Sequence, residues 1–374
     1  MRKIIKFSTK FLFVCATTIC TVAPVVYVCC RNSVSEMKKQ SANNIKQEVR
    51  HLAYVKVHKT ASSTIQNIIF RFGFERNLTF ILPSDDAKFS HIISNHETIR
   101  QDNIKPPPPS KTFDVLCLHV LYHRESFEKF LPKDTVYFSS LRHPFEQFMS
   151  TMLYFRDLYG ILKLNASDAI TDFLDDPEKH DRSIAKPEHV LYSFTKNRMA
   201  IDLGFPADII IHQRKEDIQK YIKKLDKELS LVLITEYLDE SVVLLKRILH
   251  WSMKEIIFIN KNINTEKDKT LLLNKNDRSR YQELSKVDYA LYDYFYRKLW
   301  RQIENEERFH EEVLYFRNMR KEVEIHCTNP NIKDGSILKI PKSEWNEEFL
   351  ISKEFCKTLL MSEVKFISLI RDMQ

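Results

Sequence analysis

Short apolar runs alternate with amphipathic stretches through the middle of the chain. The run at residues 54–57 predicts a strand. Behind it, apolar residues recur at the spacing of one helix face, at Ile65, Ile68, Ile69 and Phe72. Gly73 is the predicted end of this helix.

Three more apolar runs predict strands, at residues 114–118, 135–141 and 231–234. A helix is predicted from Pro144, which suits a first turn, and another at about 239–250. Strands that alternate with amphipathic helices imply a central, mostly parallel sheet flanked by helices. The predicted fold class is therefore α/β.

Polar residues stand at or just past the predicted strand ends. They are Lys59, His119, Arg142 and Glu236. Ligands of parallel sheets bind at the carboxyl ends of the strands. Each residue alone could equally be an ordinary loop residue, but the four together indicate a binding site.

An uncharged stretch near the N-terminus predicts a membrane anchor. Residues 1–10 carry four basic side chains, and residues 11–30 carry no charge. A helix of that length spans roughly 30 Å, the thickness of the hydrocarbon core. The alternative is a signal peptide cleaved at 21–23, where the following Pro24 should hinder cutting.

The basic tail favours a cytoplasmic N-terminus, which makes the body lumenal. We predict a cytoplasmic tail at 1–10, a transmembrane signal-anchor at 11–30 and a polar stem at 31–50. The body is predicted as one domain at 51–325 with a C-terminal extension of the same domain at 326–374. Residues 301–325 predict one long, partly exposed helix.

Glycosylation sequons and cysteines fit a lumenal body. Asn77 and Asn165 each begin an acceptor tripeptide. Of the seven cysteines, three lie in the body and permit one disulfide and one free thiol. We predict a disulfide between Cys327 and Cys356, with Cys117 free in a buried strand.

Composition narrows the chemistry. The net charge of +8 suits an anionic ligand, although a generally basic surface explains it equally well. Only 4 glycines occur in 374 residues, which argues against a glycine-rich nucleotide loop. The body has no Cys-x-x-Cys pair and the chain no His-Glu-x-x-His motif, so no metal site is predicted.

The segment at 58–64, HKTASST, lies between a predicted strand and a predicted helix. Helix N-termini bind phosphate-like anions through free amides and partial positive charge. A capped helix is the simpler alternative, but a cap needs no His-Lys-Thr before it. The predicted anion-binding residues are Lys59, Thr60, Ala61, Ser62, Ser63 and Thr64.

A second segment follows the third predicted strand. Arg142 stands at the strand end, and Ser150 lies roughly two turns along the next helix. A guanidinium can form two parallel hydrogen bonds with a phosphate. An Arg paired with a carboxylate, beside an ordinary helical Ser, explains the spacing as well.

Four segments together resemble the galactose-3-O-sulfotransferase family, which includes galactosylceramide sulfotransferase. They are VKVHKTASSTIQNIIFRFG, LRHPFEQFMSTMLYF, the NRMAIDLG stretch and ITEYLDESVVLLKRILHW. The resemblance covers roughly residues 51–300. Val57, Leu118 and Ile201 depart from residues common in the family, which leaves donor binding intact and bears on acceptor choice.

The resemblance implies a P-loop-like sulfotransferase fold and a 3′-phosphoadenosine 5′-phosphosulfate donor, without a metal. Arg142 and Ser150 would hold the 3′-phosphate, and Lys59 would neutralise the leaving oxygen while the amides of residues 61–64 hold the 5′-phosphate. His119 is the first candidate for the base and His58 the second, although a packed strand-end histidine is the alternative for His119.

The implied acceptor is the 3-hydroxyl of a galactose on a glycolipid or a glycoprotein glycan. The implied location is the Golgi membrane, as a single-pass type II protein with a lumenal catalytic domain. No nucleic-acid partner is expected, and a homodimer is compatible with this interpretation. The alternatives are a metal-independent Golgi glycosyltransferase, since the chain has no Asp-x-Asp pair, and an inactive lumenal glycan-binding protein.

Overall fold

A four-stranded parallel sheet lies at the centre of the computed structural model, which describes residues 47–155, 168–259, 272–330 and 335–374. The order is β2-β1-β3-β4, and the strands are β1 Leu52–Val55, β2 Val115–Leu116, β3 Val136–Leu141 and β4 Leu231–Ile234. Leu52 pairs with Val115 on one side and Val136 on the other. The predicted α/β class with a central parallel sheet flanked by helices is confirmed.

Helices connect and cover the strands. In chain order they are α1 Ser62–Glu75, α2 Arg124–Phe127, α3 Pro144–Phe155, α4 Ala169–Asp175, α5 Pro177–His180, α6 Arg182–Ala185, α7 Arg198–Asp202, α8 Ala207–His212, α9 Lys215–Glu228, α10 Leu238–Leu249, α11 Asp277–Leu284, α12 Lys286–Ile303, α13 Phe309–Thr328, α14 Lys353–Leu360 and α15 Glu363–Met373. Short 3₁₀ helices span Pro187–Tyr192 and Thr235–Tyr237.

Helix α1 buries its predicted stripe but does not end at Gly73. Ile65, Ile68, Ile69 and Phe72 are almost completely buried. The helix continues to Glu75, so Gly73 lies inside its last turn. A β-carbon on Gly73 would lie 2.4 Å from the ring of Phe80, so only glycine lets this segment pack so closely.

Strand β2 is shorter than the predicted run at 114–118. It pairs with Leu52 and Ala53 of β1 and forms an isolated bridge with Phe80 on its other side. Beyond Leu116 the chain leaves the ladder and runs beside the loop that contains Ile92, with which His119 forms an isolated bridge. His119 is therefore set by this loop contact, close to the sheet edge.

The connections that follow β1 and β3 leave in opposite directions. Helix α1 leads from β1 to β2 on one side, whereas the chain after β3 leads to β4 on the other side. In open α/β sheets this arrangement opens a crevice at the carboxyl ends of the two diverging strands, where ligands bind. The loops after β1 and β3 meet at that crevice.

The predicted single helix at 301–325 is wrong in its first part. Helix α12 ends at Ile303 and α13 begins at Phe309, after Arg308 adopts a left-handed conformation with φ 50°. Arg247 binds Glu306 within this connection and Glu312 on α13, so an ion-pair network holds the break.

The C-terminal part packs on α1. Strands β5 Leu338–Ile340 and β6 Phe349–Ile351 form an antiparallel pair, and both α14 and α15 contact α1. A disulfide joins Cys327 to Cys356, and Cys117 is a buried free thiol. Among the described helices, none has the length and apolar character for crossing a bilayer. The predicted tail and anchor at 1–30, and most of the stem, lie outside the described residues.

Candidate functional site

The turn between β1 and α1 has an unusual backbone. Lys59 and Ala61 both adopt the left-handed region, with φ of 62° and 55°. Such a conformation costs a residue with a β-carbon roughly 1–2 kcal/mol. Strain of this kind persists only where the surroundings enforce it, and it concentrates at functional sites.

A chain of hydroxyl groups enforces the turn. The Tyr54 hydroxyl lies 2.6 Å from Ser140 Oγ, and Ser140 Oγ lies 2.8 Å from Thr60 Oγ1. Thr60 in turn donates to the Val57 carbonyl at 3.1 Å. Since Thr60 is completely buried, its side chain holds the loop in this shape.

The N-terminus of α1 is open toward the crevice. No side chain at Ala61 caps it, and its first turn contains no acidic residue. The first amides of a helix have no partner within the helix and carry partial positive charge. The predicted residues Ser62, Ser63 and Thr64 form this first turn, which is suited to an anion.

Two cations lie at this crevice on different loops, Lys59 after β1 and Arg142 after β3, and neither has a carboxylate partner among the described residues. Neither Lys59 nor Arg142 forms an ion pair with any described residue. Burial, and secondarily the positive charge of Arg142, lower the pKa of Lys59 to about 8. The Lys59 ammonium lies 3.7 Å from the ring centroid of Tyr154. Negative charge bound at this crevice would relieve the repulsion between the two cations.

Ser150 is half-buried on α3, the helix that follows Arg142. It therefore belongs to the same loop-and-helix unit as the guanidinium.

His119 is half-buried at the same edge. Its Nδ1 lies 3.2 Å from the carbonyl oxygen of Lys56. A carbonyl can only accept, so Nδ1 carries the proton and Nε2 is left as an acceptor. Burial, then the neighbouring His58 and Lys56, hold the pKa of His119 well below its ordinary value. The neutral imidazole is the form that can accept a proton.

His58 stacks on His119, with ring centroids 3.9 Å apart. Its Nδ1 and its backbone N–H both donate to Asp202, each at 2.8 Å from Oδ2. Burial lowers the pKa of His58, although Asp202 opposes the shift. Because His58 is only 6% exposed, His119 is the more accessible of the two rings.

Asp202 is a site residue that sequence reasoning missed. Arg198, which is completely buried, binds its other oxygen at 2.5 Å. Burial would raise the pKa of Asp202, but Arg198 and His58 hold it below its ordinary value. The available signal lies in the stretch at 197–204, where Asp202 stands between the apolar residues Ile201 and Leu203, because a charge in an apolar run requires a partner.

Gly204 allows the segment that contains Asp202 to pack against the backbone of Tyr122. Its φ is +74°, and a β-carbon there would lie 2.0 Å from the Tyr122 carbonyl oxygen. The Tyr122 amide donates to the Asp202 carbonyl at 3.0 Å. Glycine therefore allows the close approach that fixes the backbone of Asp202.

Glu236 lies one strand further along the edge. It accepts hydrogen bonds from the His143 amide at 2.8 Å and from the Tyr292 hydroxyl at 3.3 Å. An open cavity of about 460 Å³ lies beside Glu236. Its lining includes His143, the residue that follows Arg142 in the chain. The other lining residues include Glu146, Glu236, Tyr237, Tyr292 and Tyr296.

The structure thus brings Lys59, His58, His119 and Arg142 to one edge of the sheet. Asn77 is exposed at the turn after α1, whereas Asn165 lies outside the described residues. Within the described ranges, no group of three or more His, Cys, Asp or Glu side chains is placed to hold a metal ion.

Comparison with known proteins assigns the chain to a protein family. The galactose-3-O-sulfotransferase family model matches residues 4–344. The chain belongs to this family.

Individual relatives agree with the assignment. The galactosylceramide sulfotransferase of Homo sapiens is 29% identical over 285 residues, which is 75% of this chain and 64% of the relative. Galactose-3-O-sulfotransferase 2 of Mus musculus is 30% identical over 291 residues, covering 75% of this chain and 70% of the relative. Galactose-3-O-sulfotransferase 3 of Homo sapiens is 29% identical over 252 residues, or 67% of this chain and 57% of the relative. The matched part of the chain thus spans about two thirds of the first two relatives' own lengths.

Proposed function

We propose that the protein transfers a sulfonyl group from 3′-phosphoadenosine 5′-phosphosulfate to the 3-hydroxyl of a galactose on a glycolipid or glycoprotein glycan. The observation that carries this proposal is the pair of cations, Lys59 and Arg142, beside the open N-terminus of α1. A donor with a phosphosulfate at one end and a phosphate at the other fits two separate cationic positions. Family membership supports the reaction class.

Each side of the crevice has its own role in this proposal. Lys59 lies in the loop that would hold the phosphosulfate, where its ammonium neutralises negative charge developing on the leaving oxygen. The amides of Ala61, Ser62 and Ser63 hold the 5′-phosphate, whereas the Thr64 amide donates to the Ala61 carbonyl at 3.0 Å. Arg142, with Ser150, holds the 3′-phosphate across the crevice. The cavity beside Glu236 gives room for the nucleoside.

The proton of the acceptor hydroxyl goes to a histidine. His119 is the better base because it is neutral, presents Nε2 and is more accessible than His58. His58, held by Asp202, stacks against it and keeps the ring plane fixed. Replacement of His58 by Ala serves as the comparison that separates the two roles.

The setting of the protein is part of the proposal. We place it in the Golgi membrane as a single-pass type II protein with a lumenal catalytic domain, whose tail, anchor and stem occupy residues 1–50. The family match begins at residue 4 and so includes the uncharged stretch at 11–30. The Cys327–Cys356 disulfide suits an oxidising compartment such as the secretory pathway.

The test measures donor binding and transfer separately. Calorimetry with 3′-phosphoadenosine 5′-phosphate should show binding to the wild type and weaker binding to Lys59→Ala and Arg142→Ala. Radiolabelled donor, offered with galactose-terminated glycolipids and glycans, should label the 3-hydroxyl. A glycosyltransferase would ignore the nucleotide, and an inactive glycan-binding protein would bind acceptor without transfer; either result contradicts the proposal.

A further inference from the structure

A lysine buried beneath the site connects two parts of the catalytic edge. Lys56 follows β1 and is only 1% exposed. Its carbonyl accepts the Nδ1 proton of His119, as described above. Its ammonium lies 2.5 Å from Glu363 Oε1 and 2.8 Å from Gln66 Oε1. A buried ammonium requires such partners, because an unpaired charge in the interior costs several kcal/mol.

Glu363 also reaches the open turn of α1. Its second oxygen accepts a hydrogen bond from Ser63 Oγ at 3.2 Å. Ser63 belongs to the first turn of α1, whose amides face the proposed donor. One carboxylate therefore ties the residue that orients His119 to the helix end that holds the anion.

The carboxylate comes from the last helix of the chain. Glu363 begins α15, and this helix packs on α1 through Phe366, whose ring centroid lies 5.3 Å from that of Phe70. The disulfide between Cys327 and Cys356 anchors the segment just before it. The family match ends at residue 344, so α15 lies beyond it.

We propose that Glu363 is a positioning residue for sulfonyl transfer, supplied by the C-terminal helix. It acts through Lys56, whose carbonyl sets the His119 ring, and through Ser63 at the start of α1. The inference rests on the proposed function. Glu363 itself is placed to touch neither donor nor acceptor, since both of its oxygens are engaged by protein groups.

The charged groups around Lys56 determine how loss of the Glu363 carboxylate affects the site. The titratable groups that act on or beside Lys56 are Glu363, Cys117, His58 and His119, and of these only Glu363 brings a full negative charge. Removal of the Glu363 charge leaves the ammonium without a carboxylate partner and with amide oxygen acceptors at most. The lysine then loses its proton or pulls the loop away from its position, and both changes disturb His119.

The main variant is Glu363→Gln, which keeps the size of the side chain and removes the charge. We expect the Kd for 3′-phosphoadenosine 5′-phosphate to rise about tenfold and kcat to fall about tenfold, each equivalent to about 1.4 kcal/mol. The KM for the galactose acceptor should stay within about twofold. Asp372→Asn is the matched control, because Asp372 is an exposed acid on the same helix.

Two further variants separate positioning from stability. Glu363→Asp keeps the charge and should recover most of the donor affinity. The double variant Lys56→Met with Glu363→Met replaces the ion pair by apolar groups, a change that often preserves stability. We expect its melting temperature to match the wild type while donor Kd and kcat stay impaired, because Ser63 has lost its partner.

The outcomes are distinct. If Glu363→Gln behaves like Asp372→Asn, or if the double variant recovers activity together with its melting temperature, Glu363 has no positioning role. If Glu363→Gln does not fold, Glu363→Asp and the double variant decide the question alone. If the wild type neither binds the nucleotide nor transfers sulfate, the proposed function itself has failed.

Discussion

Donor binding should weaken as the pH rises through 8, because Lys59 must be protonated to hold an anion. Burial and Arg142 lower the pKa of Lys59 to about 8 in the free protein, from an ordinary value of 10.5. A bound phosphosulfate would offset Arg142 and raise the pKa again. Binding therefore takes up protons, and the affinity falls as the pH increases.

The magnitude follows from the pKa of Lys59 in the free protein. With a pKa of about 8, Lys59 is charged in about nine tenths of free molecules at pH 7 and about one tenth at pH 9. The Kd for 3′-phosphoadenosine 5′-phosphate should therefore be about tenfold higher at pH 9 than at pH 7. At pH 8, binding should take up about half a proton for each ligand.

Calorimetry in buffers of different ionisation enthalpy measures both quantities. Lys59→Arg is the control, because a guanidinium stays charged across this range and should remove the pH dependence while retaining binding. Arg142→Ala removes the neighbouring cation. The pKa of Lys59 should then rise, and the affinity should begin to fall at a higher pH than in the wild type. A wild-type Kd that is constant from pH 7 to 9, or an unchanged slope in Lys59→Arg, would refute the reasoning.

Four other substitutions test the site and the fold. Arg142→Ala should weaken nucleotide binding by about 1.5–3 kcal/mol in calorimetry, the range for hydrogen bonds to charged groups; unchanged affinity would mean that the 3′-phosphate lies elsewhere. His119→Ala should lower kcat in single-turnover assays by about 10²–10⁴-fold with little change in donor affinity, and near wild-type transfer would remove it as the base. Asp202→Asn leaves Arg198 without its carboxylate and should lower the free energy of unfolding by about 3–5 kcal/mol in urea. Cys356→Ser opens a disulfide of sequence separation 29 and should lower the same quantity by about 3–4 kcal/mol, whereas a stable variant would show that the bridge is dispensable.

The sheet and its binding edge could be predicted from local pattern. Apolar runs and helical stripes locate the strands, and the strand-end rule then brings Lys59 and Arg142 together. His119 lies beyond the short strand β2, and its bridge to Ile92 places it near them. Their positions depend on segments of ten to twenty residues, which the sequence displays directly. The predicted loop at 58–64 lies where the structure has its open helix N-terminus.

The partners of the histidines could not be predicted in the same way. Asp202 is 144 positions from His58, and Glu363 is 307 positions from Lys56. No periodicity reports such contacts, because they arise only when distant elements pack. One signal was present: Lys56 stands between Val55 and Val57, and a charge inside an apolar run requires a buried partner.

The helix breaks show a second limit. Gly73 suggested a helix end, but it provides a contact surface for Phe80. Arg308, the last residue between α12 and α13, adopts a left-handed conformation although arginine is a good helix former. In both places tertiary packing overrides the local preference.

The turn after β1 achieves its shape with Lys59 and Ala61 in left-handed conformations and without a single glycine. A glycine-rich loop samples many shapes when empty and loses that freedom when a ligand binds. Here the side chains and the hydroxyl chain through Ser140 restrict the backbone before any ligand arrives. The entropy of ordering the loop is lost once, during folding, so each catalytic cycle begins with a receptor that is already rigid.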